Sequence, residues 1–459
     1  MKINKIQLNN FRFFTDDKAN NTFDFDAQNV LIYGENGSGK SSIFKAFEFL
    51  AQTHINKDVL LKSKNIFTHQ PVSLEFDLNN GENIIIDEKH LENSSNYIEA
   101  LAIYKPMLEY KDLLRIHYQT DKSRDEINIY EMLRELFKAY PINKNEVLSD
   151  TKNPDTYFNL LENLLNDIIL NDINDYLYKF DKNFHIQKFF FDKEFTEDGK
   201  VEFIINVKID FMNTNLDNYH HFLNEAKLSA LAIAIHFAII RNISDKLEHN
   251  SLKLLILDDL LISLDMSNRL NLIKLLQDYF NDFQIFFFTH DKALFEIFKE
   301  KMSWKSYEVY VDDKDDFEKP IIKKSLNYFQ SAKKHFEEYD YPACANYLRK
   351  EIERIKKIKE KQESSTNEDK KVFGKIKKML LGEDLMNDAK NGRIIGKLRG
   401  FKTAFEDESD TGIEIDLKNI KSITDRILNP QSHDDTSKPL YKKELEEAME
   451  IIQNIRDEL

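Results

Sequence analysis

The chain has one cysteine, Cys344, in 459 residues. A single thiol excludes an intramolecular disulfide and any cysteine-based zinc site, and the cytoplasm is the compartment it fits best. Long apolar runs are scarce too. The longest, Leu228 to Ile240, is broken by His236 and falls short of the ~20 residues a membrane span needs, so no membrane partner is expected. The opening Met1-Lys2-Ile3-Asn4-Lys5 leads into a strand-like pattern and not into a signal peptide. Positive charge is outweighed: 65 Lys and Arg stand against 80 Asp and Glu, a formal net charge of −15. That excludes a surface uniformly coated for nucleic acid, because duplex binding needs clustered cations. Lys and Arg gather at 349–361, 370–378 and 393–402. Solvated helix faces account for such clusters, and a local basic groove, hence a nucleic-acid contact, stays open.

What is present suffices for a core. Hydrophobic residues make up 41%, and the length implies two or three domains. Residues 1–33 read as strands, ending in the short apolar run Asn29-Val30-Leu31-Ile32-Tyr33, and a helix is expected from about Lys40 to Leu50. Val72 to Leu78 alternates strictly, Asn79-Asn80-Gly81 turns, and Ile84-Ile85-Ile86 completes a hairpin. Residues 105–183 read as mostly helical, interrupted at Pro141 and Pro154, with no long heptad run. This predicts a short helical insertion, about 105–185, and no coiled-coil arm. Strands resume at 186–212, a helix fills about 224–246, and buried strands at 254–257 and 284–288 flank a helix at 266–280. Helices alternating with buried strands predict an α/β sheet for residues 1–320. After Pro320 the chain turns charged and amphipathic at 325–361, polar and loose at 361–371, and helical again at 436–459. Residues 321–459 therefore read as a separate all-α domain.

Gly34-Glu35-Asn36-Gly37-Ser38-Gly39-Lys40-Ser41 matches G-x-x-x-x-G-K-[ST] in full, between a buried strand and a helix. Gly34, Gly37 and Gly39 let the backbone curl so that its N–H groups face phosphates. Lys40 is expected to reach the β- and γ-phosphates of ATP, and the Ser41 hydroxyl to ligate Mg²⁺.

Leu254-Leu255-Ile256-Leu257-Asp258-Asp259 is an apolar strand ending in two acids. Asp258 is expected to hold Mg²⁺, and Asp259 to orient or deprotonate the attacking water. Asp265 follows seven residues beyond Asp258, and Thr289-His290-Asp291 ends the next buried strand, with His290 placed to sense the γ-phosphate.

With these residues the chain resembles the RecF/SMC/RecN branch of ABC-type ATPases, from Asn10-Phe11-Arg12 through Gly34 to Ser42 and on to Asp265 and His290. That resemblance implies a P-loop ABC-type head whose nucleotide sites are completed by a second copy. Arg12 and the Gly34–Ser42 turn, including Asn36, Ser38 and Ser42, would contact ATP. Ser229 would reach the γ-phosphate bound to the opposite protomer, Asp265 would lie at the dimer seam, and His290 would be the switch histidine. Two departures stand out. Ala230-Leu231 replaces the glycine pair of the usual Leu-Ser-Gly-Gly-Gln signature, and Asp259 replaces the usual catalytic glutamate, which implies slow hydrolysis. The narrower pattern, Leu223-Asn224-Glu225-Ala226-x-Leu228-Ser229 with Ser263-Leu264-Asp265, is similar to ATPase subunits of bacterial antiphage systems of the Septu, PARIS and RloC types. Such ATPases hold or trigger a partner nuclease or toxin. A RecF-like repair ATPase is the alternative.

In the C-terminal region Arg426 and His433 resemble the R-x(4–6)-H motif of HEPN ribonucleases, which implies either an RNase site or an inactive helical bundle used for dimerisation or partner docking. The motif is short, and a structural Asn429-Pro430 turn with a capped helix is the reading preferred for the same residues, with the bundle serving dimerisation or partner docking first.

Overall fold

The computed structural model describes residues 1–117, 127–143, 146–195, 201–216, 218–247, 251–262, 264–302, 304–314, 317–362 and 442–457. They fall into two compact units, Met1–Ser325 and Leu326–Leu459.

The first unit is built on a six-stranded sheet in the order β13-β12-β3-β11-β10-β6. Its strands are β3 (Val30–Gly34), β6 (Met107–Glu109), β10 (Leu254–Asp258), β11 (Gln284–Thr289), β12 (Lys305–Asp312) and β13 (Lys319–Lys324). The neighbours run parallel except at the β12–β13 edge. Strands covered on both faces lose the apolar–polar alternation, which is why β3 and β11 are buried along their whole length. Aromatic packing seals the layer beneath: Phe286 of β11 lies against Phe25 and Phe47 at ring distances of 5.1 and 4.5 Å.

A second, antiparallel sheet has the order β2-β1-β4-β5, from β1 (Ile3–Asn9), β2 (Thr22–Asp24), β4 (Ser73–Leu78) and β5 (Asn83–Asp87). The β4–β5 pair is the hairpin that the alternation announces, Leu74, Phe76 and Leu78 facing inward. Gln284 joins the two sheets. Its buried amide accepts from Ile3 N at 2.6 Å and donates to Ile3 O at 2.8 Å and Gln28 O at 2.9 Å, so a polar residue at the head of a buried strand leaves nothing unsatisfied. A third sheet, β7-β8-β9, comprises β7 (Phe184–Phe195), β8 (Val201–Phe211) and β9 (Thr214–Leu216).

Three features differ from the sequence reading. Residues 107–109, inside the stretch read as helical, form β6 and pair with β10; three residues are too few for a period to show. Pro154, read as an interruption, opens the helix Pro154–Asn163 behind an Asn153 cap, because a first-turn position needs no N–H donor. The helix Glu225–Lys246 is long and apolar enough to cross a membrane by length and composition, yet 78% of its apolar window is buried in the fold. It is the core helix of the first unit.

Strand β13 spans residue 320, so the first unit runs on to Ser325. The second unit contains the helices Tyr328–Glu337, Tyr341–Gln362 and Lys442–Asp457. They close a small core of Phe329, Cys344, Leu348, Leu445 and Ile452. Arg426 and His433 lie outside the described residues, as do the basic clusters at 370–378 and 393–402.

Candidate functional site: a phosphate turn facing two acids

The turn Gly34–Lys40 leaves the carboxyl end of β3 and enters the helix Lys40–Leu50. Gly37 and Gly39 sit at φ +86° and +107°, a region closed to most L-residues. A Cβ on Gly34 would meet Ser38 Oγ at 2.3 Å, and one on Gly39 would meet the Phe13 ring at 3.0 Å, whereas Gly37 has open space. Lys40 is buried, its Nζ donating to Gly34 O at 2.6 Å and Glu35 O at 3.3 Å. The ammonium is thus held over the turn by two carbonyls that a phosphate oxygen can replace. Ser38 Oγ is buried without a partner. Glu35, Asn36, Gly37 and Ser41 are exposed, and Ser42 is buried in the first helical turn.

Asp258 and Asp259 stand at the carboxyl end of β10, two strands from β3 through β11. Asp258 Oδ1 is buried without a hydrogen bond. Burial, then the neighbouring Asp259 charge, pushes its carboxyl up to about 7, while Lys40 pulls it down. The Lys40 charge therefore reaches this carboxylate, although the two residues are 218 apart in sequence. A buried acid with an orphaned oxygen next to a phosphate turn suits a divalent cation. With the Ser41 hydroxyl and the unpartnered Ser38 oxygen, the donor set fits Mg²⁺ bound together with a nucleotide. Among the described residues no group of three or more His, Cys, Asp or Glu forms a self-contained metal cluster.

Asp259 is in the left-handed region at φ +51°. Its Oδ1 accepts from the backbone N–H of His290 at 2.9 Å and lies 2.9 Å from His290 Nδ1. That contact assigns the proton to Nδ1 and leaves Nε2 for another partner. The structure thus brings Lys40, Asp258, Asp259 and His290 to one edge of the sheet.

Arg12 is exposed in a loop at φ +51°, its N–H donating to Ser63 O at 2.7 Å. The adjoining Phe13 crowds Gly39, so this loop borders the phosphate turn. Asp265 is exposed and caps the helix Met266–Tyr279 through Asn268 N at 2.9 Å.

Ser229 is placed otherwise than the resemblance implies. It is fully buried, and its Oγ lies 3.2 Å from His117 Nε2. In this conformation its hydroxyl is used inside the protomer and is not presented to a second copy. The physical reason is the helix, whose residues from Leu228 to Ile240 are all buried.

Two residues of the site escaped the sequence reading. Glu109 pairs with Asp258 across β6–β10 and contributes to raising its pKa; Pro106 ahead of a short apolar pair was the only signal. Arg269 donates to Leu264 O at 2.7 Å and to Asp291 Oδ2 at 2.6 Å, contacts that no spacing announces.

A parallel sheet with a Gly-rich turn at one strand end and paired acids at another defines a P-loop nucleotide-binding ATPase head. The family profile described as AAA domain matches residues 5–371, and the chain belongs to that family. No curated protein sequence matches the chain. Among solved structures, it is similar to an Smc head bound to the C-winged helix domain of ScpA, at 14% identity and TM-score 0.43, over 71% of this chain and 98% of that one. The SMC head domain from Thermotoga maritima is 13% identical at TM-score 0.38, over 71% and 100%. An Smc head with an extended coiled coil, bound to the C-terminal domain of ScpA derived from Pyrococcus furiosus, is 13% identical at TM-score 0.41, over 74% and 99%.

Proposed function

We propose that this chain binds ATP with Mg²⁺ at the Gly34–Ser42 turn and hydrolyses it slowly, as a cytoplasmic ABC-type head that pairs with a second copy of itself. The observation that carries the reading is the buried, unpartnered Asp258 carboxyl, raised to about 7 and within electrostatic reach of Lys40. A cation that comes to meet such a carboxyl favours its ionised form. Mg²⁺ held by Ser41 and Asp258 would neutralise charge on the phosphates. Lys40 and the turn's N–H groups bind and orient the β- and γ-phosphates. Asp259 accepts a proton from, or orients, the attacking water through the oxygen not committed to His290, and His290 offers Nε2 toward the γ-phosphate. Lys40→Ala should abolish binding of a fluorescent ATP analogue. Asp259→Asn should lower kcat about 100-fold while keeping nucleotide affinity. Normal hydrolysis by Asp259→Asn removes it from the role of base.

At the level of biology, the same proposal makes the protein the ATPase subunit of an antiphage complex, in which ATP-driven pairing of heads controls a partner nuclease or toxin. The support is the antiphage-like pattern around Ser229 and Ser263-Leu264-Asp265 and the acidic chain. Cells carrying the gene with its genomic neighbours should resist phage, and Lys40→Ala should remove the resistance. ATP-dependent, salt-sensitive DNA binding by the purified protein would favour the RecF-like alternative instead. RNA cleavage lost in His433→Ala would favour the ribonuclease.

A further inference from the structure

The loop from Asp259 to Asp265 is tied near both ends to the adjacent residues His290 and Asp291, the second tie passing through Arg269. At its start, Asp259 Oδ1 meets the N–H and Nδ1 of His290, both at 2.9 Å. At its end, Leu264 O accepts from Arg269 Nε at 2.7 Å, and the same guanidinium gives Nη1 to Asp291 Oδ2 at 2.6 Å. Leu260, Leu261 and Leu264 anchor the loop in the core. Arg269 sits on the helix Met266–Tyr279, which Asp265 caps, and Asp291 caps the helix Lys292–Lys301 through Leu294 N at 3.0 Å. The Arg269 side chain is only 16% exposed. Its planar fork is filled by one carbonyl and one carboxylate in fixed directions, which a lysine cannot reproduce.

We propose that Arg269 is a positioning residue: through Asp291 and Leu264 it locks the Asp259–Asp265 loop to the His290 strand end, so that Asp259, His290 and Asp265 move as one piece. It touches no reacting atom. This inference rests on the reading of Asp259 and His290 as the hydrolytic pair. Without the clamp, Asp259 and His290 remain bonded to each other and to the sheet but lose their fixed relation to Asp265. Displacement of about 1 Å at such a site costs on the order of 100-fold in rate.

The experiment measures steady-state ATP hydrolysis and equilibrium binding of a fluorescent ATP analogue for the full chain, with Arg269→Ala, Arg269→Lys and Asp291→Asn. Asp291→Asn keeps an acceptor for Leu294 N and loses the ion pair, so it carries the test if Arg269→Ala does not fold. The expected result is a 10- to 100-fold fall in kcat with nucleotide affinity unchanged, no rescue by lysine, and partial recovery of Arg269→Ala by millimolar guanidinium. In a His290→Ala background, Arg269→Ala should add little further loss, whereas general destabilisation would lower both backgrounds alike. An active parent whose Arg269→Ala and Asp291→Asn variants keep their kcat, or lose equal activity in both backgrounds, overturns this inference alone. A parent with no ATPase activity overturns the hydrolytic reading on which it rests.

Discussion

Asp258 carries its charge at a cost in the nucleotide-free protein. Burial, then Asp259, raises its carboxyl from an ordinary 3.8 to about 7. The folded state thus holds the proton more tightly than the unfolded chain. Its contribution to stability is fully present below about pH 3.8 and is lost as pH rises through about 7. Asp258→Asn removes the ionisation altogether. At pH 8, without nucleotide, the variant should melt above the parent, by up to roughly 4 kcal/mol in unfolding free energy. The gap should close as pH falls toward 4. Thermal melts across that range check it, and a variant that melts lower at pH 8 would show that the carboxylate ionises in the fold without penalty. Much of this site was legible because its first part is local: Gly34 to Ser41 is one continuous stretch, and its glycines are demanded by backbone geometry. The Asp259–His290 and Arg269–Asp291 contacts, 31 and 22 residues apart, come from strand order, which single-sequence spacing does not encode.

The helix Glu225–Lys246 shows at the scale of an element why orientation is harder to read than existence. Its apolar run announced a helix, but the run continues around every face from Leu228 to Ile240, so no polar stripe tells inside from outside. Ser229 could be assigned outward by resemblance and is found inward, against His117. Burial pushes the His117 imidazole below its usual range, which favours its neutral form beside the serine hydroxyl. The helix start is further fixed by Tyr110 OH donating to Glu225 at 3.0 Å and by the Lys227–Asp181 ion pair. Ser229→Ala should therefore destabilise the nucleotide-free protein by about 1–2 kcal/mol, since it removes a partner from a buried imidazole. Urea unfolding without ATP measures this. A hydroxyl whose only work is across a dimer seam would leave that curve unmoved. The strands tell the opposite story. β3, β10 and β11 were visible as apolar runs because parallel strands are covered on both faces, while β6 was hidden by its brevity.

At the scale of the molecule, the described residues form two hydrophobic cores, one in the first unit and one from Phe329 to Ile452. The helices of the second include a buried acid. Glu351 is fully buried, accepts from Arg354 Nε at 2.9 Å and Nη2 at 2.6 Å, and lies 3.3 Å from Arg456 Nε. Arg456 also covers the Phe329 ring at 4.8 Å. The carboxylate thereby joins the helix Tyr341–Gln362 to the helix Lys442–Asp457 across 105 residues of sequence. Removing Glu351 takes a shared acceptor away from two guanidiniums that are themselves partly exposed, a loss of about 1–3 kcal/mol. Among the described residues nine buried side chains make up this core, so a loss of that size weighs on how its helices are held together. Glu351→Ala should split thermal unfolding into two transitions, the second unit melting first, because separate cores unfold as separate cooperative blocks. Below the upper transition the head should still bind a fluorescent ATP analogue with the parent's affinity, since the phosphate turn, Asp258 and the strands that carry them belong to the other core. Calorimetry paired with nucleotide titration at the intermediate temperature separates the outcomes: a single lowered transition, with ATP binding lost alongside it, would mean that the two cores stand or fall together.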